Sequence, residues 1–115
     1  PIELVVVDDD LGGAWPASPN DYVAKALAEA GVALGKGGSR IVLAFAEPRA
    51  SKGRAGFGPA SLDALHHSAD AAVVIVFGHP RLAAEVPSTA PKVVAWHRQR
   101  LMQEAAARWI RERLA

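Results

Sequence analysis

A run of three aspartates is the first feature of the sequence with chemical potential. In VVVDDD, Asp8 to Asp10 directly follow a β-branched apolar run that is typical of a buried strand. Carboxylates clustered at the end of a strand can hold Mg²⁺, because hard cations prefer several oxygen ligands. The simpler interpretation is that these carboxylates are solvated and cap the turn that follows the strand. We prefer the simpler interpretation, because the later strand ends lack the other residues of a phosphoryl-transfer site.

The aspartate run, the chain length and the alternation of strands and helices resemble a response-regulator receiver. A receiver needs an acceptor aspartate at the end of a later strand, whereas the second and third predicted strands end in Ala46-Glu47 and Phe77-Gly78. It also needs a lysine after a late strand, whereas Lys92 precedes one. A receiver-like signalling or small-ligand-binding module is therefore only an alternative interpretation of the chain, and a purely structural domain without any ligand is another.

A basic, glycine-rich stretch is the second feature. In EPRASKGRAGFG, residues 47–58, Arg49, Lys52 and Arg54 are interleaved with three glycines. A Walker loop requires GxxxxGK[ST], but here the lysine precedes the glycines, so the spacing argues against a nucleotide loop. A connection of twelve residues is long, and long connections are often functional. Basic side chains beside a helix N-terminus suit an anion or an acidic partner surface, so binding and plain connection both stay open.

A histidine follows the most apolar predicted strand. In FGHPR, residues 77–81, His79 stands where acid–base residues often stand, but the sequence identifies no nucleophile or acidic partner for it. Because Pro80 fixes the turn, we expect His79 to cap or pack there. His66 and His67 are adjacent and point about 100° apart on a helix, so they do not form a metal site. We expect no metal site and no cofactor.

The elements that carry these residues alternate along the chain. Apolar runs predict strands at 2–7, 40–46, 71–78 and 92–96. Helical patterns predict a helix from Ser18 as N-cap to Gly31, another from Pro59 to about Ala69, a short helix at 80–86 and a last helix at 98–114. This alternation predicts an α/β fold, a three-layer sandwich with a mostly parallel sheet of about four strands, Rossmann- or flavodoxin-like, whose strand order the sequence leaves undetermined.

Ligands of such sheets bind beyond the carboxyl ends of the strands. Four segments should meet at that edge: 8–13, 47–58, 78–81 and 96–98. The last segment leads into a helix with several arginines, Arg98 among them. Because Glu104 and Glu112 accompany the arginines, we interpret them as a solvated face rather than a nucleic-acid surface.

The composition of the chain argues against several classes of protein. The chain has 115 residues, which fits a single domain, and 50% of them are hydrophobic, which argues against disorder. The formal net charge of +1 predicts neither nucleic acid nor an anionic membrane as a partner. No apolar run reaches the roughly 20 residues of a membrane-spanning helix. The absence of cysteine excludes disulfides and is compatible with a cytoplasmic protein without proving that location.

Three segments in order resemble one known family. VLAFAEPRASKGRAGFGP, AVVIVFGHPRLAAEVPS and VVAWHRQRLMQEAAARWI are similar to the C-terminal α/β domain of glycoside hydrolase family 3, in its β-N-acetylhexosaminidase-like branch. The family has an arginine- and glycine-containing loop after a strand, an FGxPxxL turn, and a Q-x-A-A-A-like last helix. The second motif is matched here by Phe77, Gly78, Pro80 and Leu82.

The resemblance implies a parent protein that is a retaining glycosidase. The carboxylate nucleophile of that family lies on a separate N-terminal (β/α)₈ barrel, and the barrel's KH…PGHG…D signature does not occur in these residues. The resemblance therefore implies no catalytic residue in this chain. It implies an accessory domain that packs on the barrel, with Arg49, Lys52, Arg54 and His79 as candidates to face the barrel or its carbohydrate substrate.

The resemblance also implies that the chain is one domain of a longer protein. The sequence begins at Pro1 with a strand-like run, as a piece of a longer chain would. Related domains often continue into a further strand of the G-x-L-P type, so the sheet here is expected to lack an edge element. A domain separated from its barrel should expose the surface that met the barrel, which favours self-association.

Overall fold

The computed structural model describes residues 1–10, 19–47 and 56–114. Within these ranges the strands are β1 (Ile2–Asp8), β2 (Ser39–Phe45), β3 (Val73–Phe77) and β4 (Lys92–Val94). The α-helices are α1 (Tyr22–Glu29), α2 (Pro59–His66) and α3 (Arg100–Arg113), and a 3₁₀ helix spans Pro80–Glu85. No helix in the described ranges has the length and apolarity that crossing a bilayer would require.

The four strands form one parallel sheet in the order β1-β2-β3-β4. In the register, Leu4 pairs with Ile41, and Leu43 pairs with Ile75. Their β-branched and apolar composition follows from this placement, because the inner strands of a parallel sheet are covered on both faces. The sheet confirms the predicted α/β sandwich and supplies the strand order.

The side chains of β2 show how the three layers are built. Ile41 and Phe45 lie on the face covered by α1 and α3, whereas Val42 and Ala44 lie on the face covered by α2 and the 3₁₀ helix. All four are buried, since successive residues of a strand point to opposite faces. Each face of the sheet therefore has its own hydrophobic cluster.

One isolated bridge lies at the outer edge of β1, where a further strand of the sheet would pair. Leu34 forms an isolated parallel bridge with Ile2, because the amide of Ile2 donates to the carbonyl of Ala33 and its carbonyl accepts from the amide of Gly35, each at 2.9 Å. After β1 the chain thus passes through α1 to this edge and then returns across β1 to β2. In doubly wound sheets such a reversal defines the crevice where ligands bind, here between the carboxyl ends of β1 and β2.

Helix α1 differs from its prediction at one end. Gly31 follows the helix with a φ of 81°, as expected of a glycine that ends a helix. The helix begins at Tyr22 instead of following Ser18, which lies outside the described residues. The cap residue, Asp21, makes no side-chain capping hydrogen bond. A side chain from α3 instead bonds to the Tyr22 amide, a tertiary contact that local sequence does not reveal.

Gly78 gives a test of the packing at the carboxyl end of β3. A Cβ at this position would lie 2.6 Å from Cδ1 of Leu82 and would also clash with the backbone carbonyl of Ala46. We expect Gly78→Ala to lower the free energy of unfolding by about 1–3 kcal/mol, as overpacking typically does. Gly35→Ala is the matched control, because a Cβ there meets nothing within 4 Å. Urea unfolding followed by circular dichroism measures both variants, and equal losses would contradict the packing described.

Candidate functional site at the carboxyl edge

A buried ion-pair cluster lies in the crevice at the carboxyl ends of β1 and β2, and its cation comes from the chain that follows β4. The side chain of Arg98 is fully buried, as are those of Asp8 and Asp10. Its Nη2 lies 2.7 Å from Oδ2 of Asp8 and its Nη1 lies 2.8 Å from Oδ1, so the pair is bidentate. Nη1 also lies 2.7 Å from Oδ2 of Asp10. One guanidinium therefore joins two carboxylates at the end of β1.

Neighbouring groups complete the surroundings of this cluster. The guanidinium carbon of Arg98 lies 4.8 Å from the centroid of the Phe45 ring, and Phe45 stacks on Phe77 at 4.5 Å. The side-chain amide of Asn20 donates to Oδ2 of Asp8 at 2.8 Å. The cation thus rests on an aromatic face from the end of β2, which is favourable where water is excluded.

The contacts decide the charge state of the cluster. Burial by itself raises the pKa of Asp8, but the hydrogen bonds from Arg98 and Asn20 outweigh burial and hold that pKa below its ordinary value. Burial lowers the pKa of Arg98, and its hydrogen bonds to Asp8 and Asp10 more than restore it, so the pKa is raised. Asp8 and Arg98 are therefore a charged pair at neutral pH.

This cluster corrects the expectation of solvated carboxylates and of a solvated Arg98. Asp8 and Asp10 are buried together with Arg98, 88 to 90 positions later in the chain, and its guanidinium bonds to both carboxylates. Arg98 lies before α3, not on its outer face. The expected turn cap is present, since Oδ1 of Asp8 accepts from the amide of Asp10 at 3.0 Å. One signal was available in the sequence: an arginine and three aspartates all follow strands at the same edge.

The aspartates also hold both ends of the 47–58 connection. The carboxylate of Asp10 accepts from the amide of Glu47, at 3.2 Å to each oxygen. Oδ1 of Asp9 accepts from the amide of Gly58 at 2.9 Å and from Oγ of Ser61 at 2.7 Å. The start of the connection and its return into α2 are thus both bonded to the residues that follow β1.

Gln103 is a second buried polar residue that the sequence analysis missed. Its Oε1 accepts from the Tyr22 amide at 3.2 Å, which caps α1. Its Nε2 donates to the carbonyls of Pro19 and Arg98, both at 2.8 Å. The sequence pattern of α3 predicts an apolar stripe through Met102 and Ile110, and Ile110 is fully buried. Gln103, next to that stripe, is fully buried as well, because its side chain makes this capping contact with α1.

Of the four predicted site residues, only His79 lies within the described ranges. Its ring caps the 3₁₀ helix, with Nδ1 accepting from the amide of Arg81 at 3.1 Å, which confirms the expected capping role. The ring is exposed and meets Trp96, 6.4 Å away between centroids. Arg49, Lys52 and Arg54 lie outside the described residues.

The chemistry open to this edge is limited by the ion pairs. A Mg²⁺ held by Asp8 and Asp10, as in a receiver, would have to displace the guanidinium that both carboxylates contact. Over the described ranges, no group of three histidine, cysteine, aspartate or glutamate side chains could hold a metal ion. The geometry therefore fits a structural cluster, which holds backbone segments in place, and does not fit a cation site.

The fold and this edge define the chain as a parallel α/β sandwich whose ligand crevice is filled by its own side chains. Comparisons with protein-family models, curated proteins and solved structures each found no match for it.

Removal of Arg98 tests the cluster. We expect Arg98→Met to lower the free energy of unfolding by about 3–5 kcal/mol, because it removes the cation to which the buried carboxylates of Asp8 and Asp10 are bonded. Arg100→Met is the control: its partner is Glu104 on an exposed surface, so the loss should stay below about 1 kcal/mol. Both are measured by urea unfolding at pH 7. A loss no larger for Arg98 than for Arg100 would overturn the role given to the cluster.

The lowered pKa of Asp8 predicts acid sensitivity. Because the pKa of Asp8 is lower in the folded state, the ionised side chain stabilises the fold at pH values above its unfolded-state pKa, about 3.9. This stabilisation is lost as the pH falls through the lower pKa of the folded state. The free energy of unfolding should therefore fall below about pH 5, and it should fall less steeply in Asp8→Asn. Carboxyl ¹³C shifts of Asp8, followed against pH, check the same point directly. A midpoint at or above the ordinary aspartate value would contradict it.

Proposed function

We propose that this chain is a non-catalytic accessory domain of a family 3 glycoside hydrolase of the β-N-acetylhexosaminidase-like branch. In the proposal, its carboxyl edge packs on a (β/α)₈ barrel that carries the catalytic nucleophile. The parent protein hydrolyses O-glycosyl bonds, and this chain contributes the 47–58 connection, and the turn at His79, to the surroundings of the sugar site.

One observation carries the proposal: the aspartates at the end of β1 hold the two ends of the 47–58 connection. Asp10 bonds to the amide of Glu47, and Asp9 bonds to the amide of Gly58. Holding both ends reduces the conformational freedom that the connection would lose on docking against a partner. The order of the three family-like segments and the parallel α/β fold agree with the same role.

The state of the carboxylates supports a non-catalytic role. Glycoside hydrolysis needs two groups flanking one bond, usually carboxylic residues, that are accessible to the sugar. Asp8 and Asp10 are buried and engaged with Arg98, and Asp9 bonds to the N-terminal end of α2. These side chains serve to hold backbone segments in place. Catalysis is therefore assigned to the barrel.

The proposal is tested on the full-length gene product. We expect it to hydrolyse a chromogenic β-N-acetylglucosaminide, and we expect residues 1–115 alone to give no hydrolysis. An upstream region without a barrel, or activity in the isolated chain, would overturn the proposal. Mg²⁺-dependent labelling by acetyl phosphate would also overturn it and would support the receiver alternative.

Arg54 tests the part assigned to the 47–58 connection. In the full-length protein we expect Arg54→Ala to lower kcat/KM by about tenfold, the effect of losing one charge-assisted contact of about 1.5 kcal/mol. Lys36→Ala is the matched control, because it removes an exposed cation from the turn that precedes β2, at the opposite end of the sheet. If Arg54→Ala and Lys36→Ala have the same kcat/KM and the same association between domains, the 47–58 segment only connects β2 to α2.

A further inference from the structure

We propose that two copies of this chain associate through the outer edge of β4 and the adjoining side of α3, so that their sheets become one continuous sheet. We call this surface the β4–α3 face. It consists of β4 and the side chains of Met102, Ala105 and Trp109. It lies beside the sheet, whereas the proposed function assigns the carboxyl edge to the barrel. The inference therefore goes beyond the proposed function and concerns a different surface from the one that would meet a barrel.

The backbone of β4 has hydrogen-bonding groups directed away from the sheet. The amide of Ala95 donates to the carbonyl of Val76 on β3 at 2.7 Å. Because backbone groups alternate in direction along a strand, Lys92 and Val94 direct their amides and carbonyls to the outer side. Within the described ranges, β4 is the last strand of the sheet and pairs with β3 alone. An edge of this kind is a template for a further strand.

The one charged side chain of β4 does not protect this edge. Lysines on edge strands ordinarily keep other strands away, because pairing would bury their charge. Here Nζ of Lys92 donates to the carbonyl of Ser88 at 2.6 Å and to that of Ala90 at 3.2 Å. The ammonium group is thus held against the turn that precedes its own strand. A second strand can pair with β4 without desolvating a free ammonium group.

An apolar groove of about 160 Å³ lies between β4 and α3. Four of the side chains that line it are only half-buried, namely Val93, Met102, Ala105 and Trp109. Every lining residue is apolar, so a charged partner would find no counter-charge there. The groove is smaller than the roughly 300–1,000 Å³ of a small-molecule site. It is therefore suited to contact with another apolar protein surface.

A second copy related by a twofold axis satisfies both the backbone and the groove. With the axis beside Val93, Lys92 of one copy pairs with Val94 of the other, and the two exchange hydrogen bonds as in an antiparallel ladder. Helix α3 covers β3 and β4, since Ala106 packs in one cluster with Ile75 and Val93. Because neighbouring strands lie about 4.8 Å apart, the α3 helices of the two copies come to about 10 Å, the spacing of packed helices.

The side chains of α3 match this antiparallel contact. Ala105 is small and lets the helices approach closely where they cross. Met102 and Trp109 lie on either side of Ala105, so Met102 of one copy comes opposite Trp109 of the other. Contacts between a thioether and an aromatic ring are favourable. The β4–α3 face is therefore complementary to itself, which is what an interface with twofold symmetry requires.

The test begins with sedimentation velocity on the 115-residue chain, at protein concentrations from about 10 μM to 1 mM. A short strand and two turns of helix form an interface below the standard size, so we expect a dissociation constant of roughly 100 μM. The weight-average mass should rise from that of one chain towards that of two. Hydrogen exchange at the amides of Lys92 and Val94 should slow as the protein concentration rises.

Variants connect the association to the β4–α3 face. Ala105→Glu brings two carboxylates together at the crossing point and should raise the dissociation constant at least about tenfold. Ala28→Glu, on an exposed position of α1, is the matched control and should leave it unchanged. Val94→Pro removes an amide that does not bond to β3, and proline is tolerated on an edge strand, so it should weaken association as well. Urea midpoints check that each variant folds.

Four results would contradict the interface. A chain that stays monomeric at 1 mM is the first, and equal effects of Ala105→Glu and Ala28→Glu are the second. The third is concentration-dependent exchange at Gly58 and His79 instead of Lys92 and Val94, which would place the contact at the carboxyl edge. The fourth is protection of the β4 amides without a rise in mass, which would mean that the chain covers its own edge.

These measurements are separate from those of the proposed function. Association through the β4–α3 face leaves the carboxyl edge accessible. A monomeric result would therefore leave the proposed accessory function standing, and a dimer would not establish it.

Discussion

The contact between Arg98 and the two aspartates after β1 is the interaction on which the carboxyl edge depends. It joins the end of the first strand to the chain that follows the last strand. Residues from the beginning and the end of the sequence are thereby held together at one edge. Buried ion pairs are costly to desolvate, and a hydrophobic replacement is often equally stable. Their value here is geometric, because a bidentate guanidinium fixes the carboxylates in one orientation.

That fixed orientation extends to the connections that leave the edge. Asp10 contacts Arg98 with one oxygen while both of its oxygens accept from the Glu47 amide. Asp9 points to the other side and bonds to the beginning of α2. The same three-residue run thus joins the filled crevice to both ends of the basic connection. An edge built in this way holds the two ends of the basic connection in place, and the proposed accessory role rests on this observation.

Side chains of this chain occupy the crevice that the reversal of strand order opens. In doubly wound sheets the reversal of strand order opens a crevice, and a helix N-terminus beside it often receives an anion. Here Arg98 and the aspartates fill the crevice, and Gln103 bonds to the first amide of α1. The exposed rings of His79 and Trp96 follow β3 and β4, on the side of the same edge away from this crevice.

The sequence by itself determined the layers of this protein. Apolar runs and helical periodicity are local properties, and they predicted all four strands, the three helices and the short turn of helix after Pro80. The capping role of His79 was also local, since Pro80 and the 3₁₀ helix follow it directly. Strand order, by contrast, depends on which strands pair along their length, and local patterns do not contain that information.

Only the tertiary structure decided the environment of the charged residues. Asp8 and Arg98 are ordinary surface residues by composition, and the physical reason for their burial is a partner 90 positions away. Gln103 follows the same rule, because its two bonding groups meet Pro19, Tyr22 and Arg98 only after α1 and α3 pack together. Periodicity records which positions are apolar, whereas the pairing of polar groups depends on which strand ends the fold brings side by side.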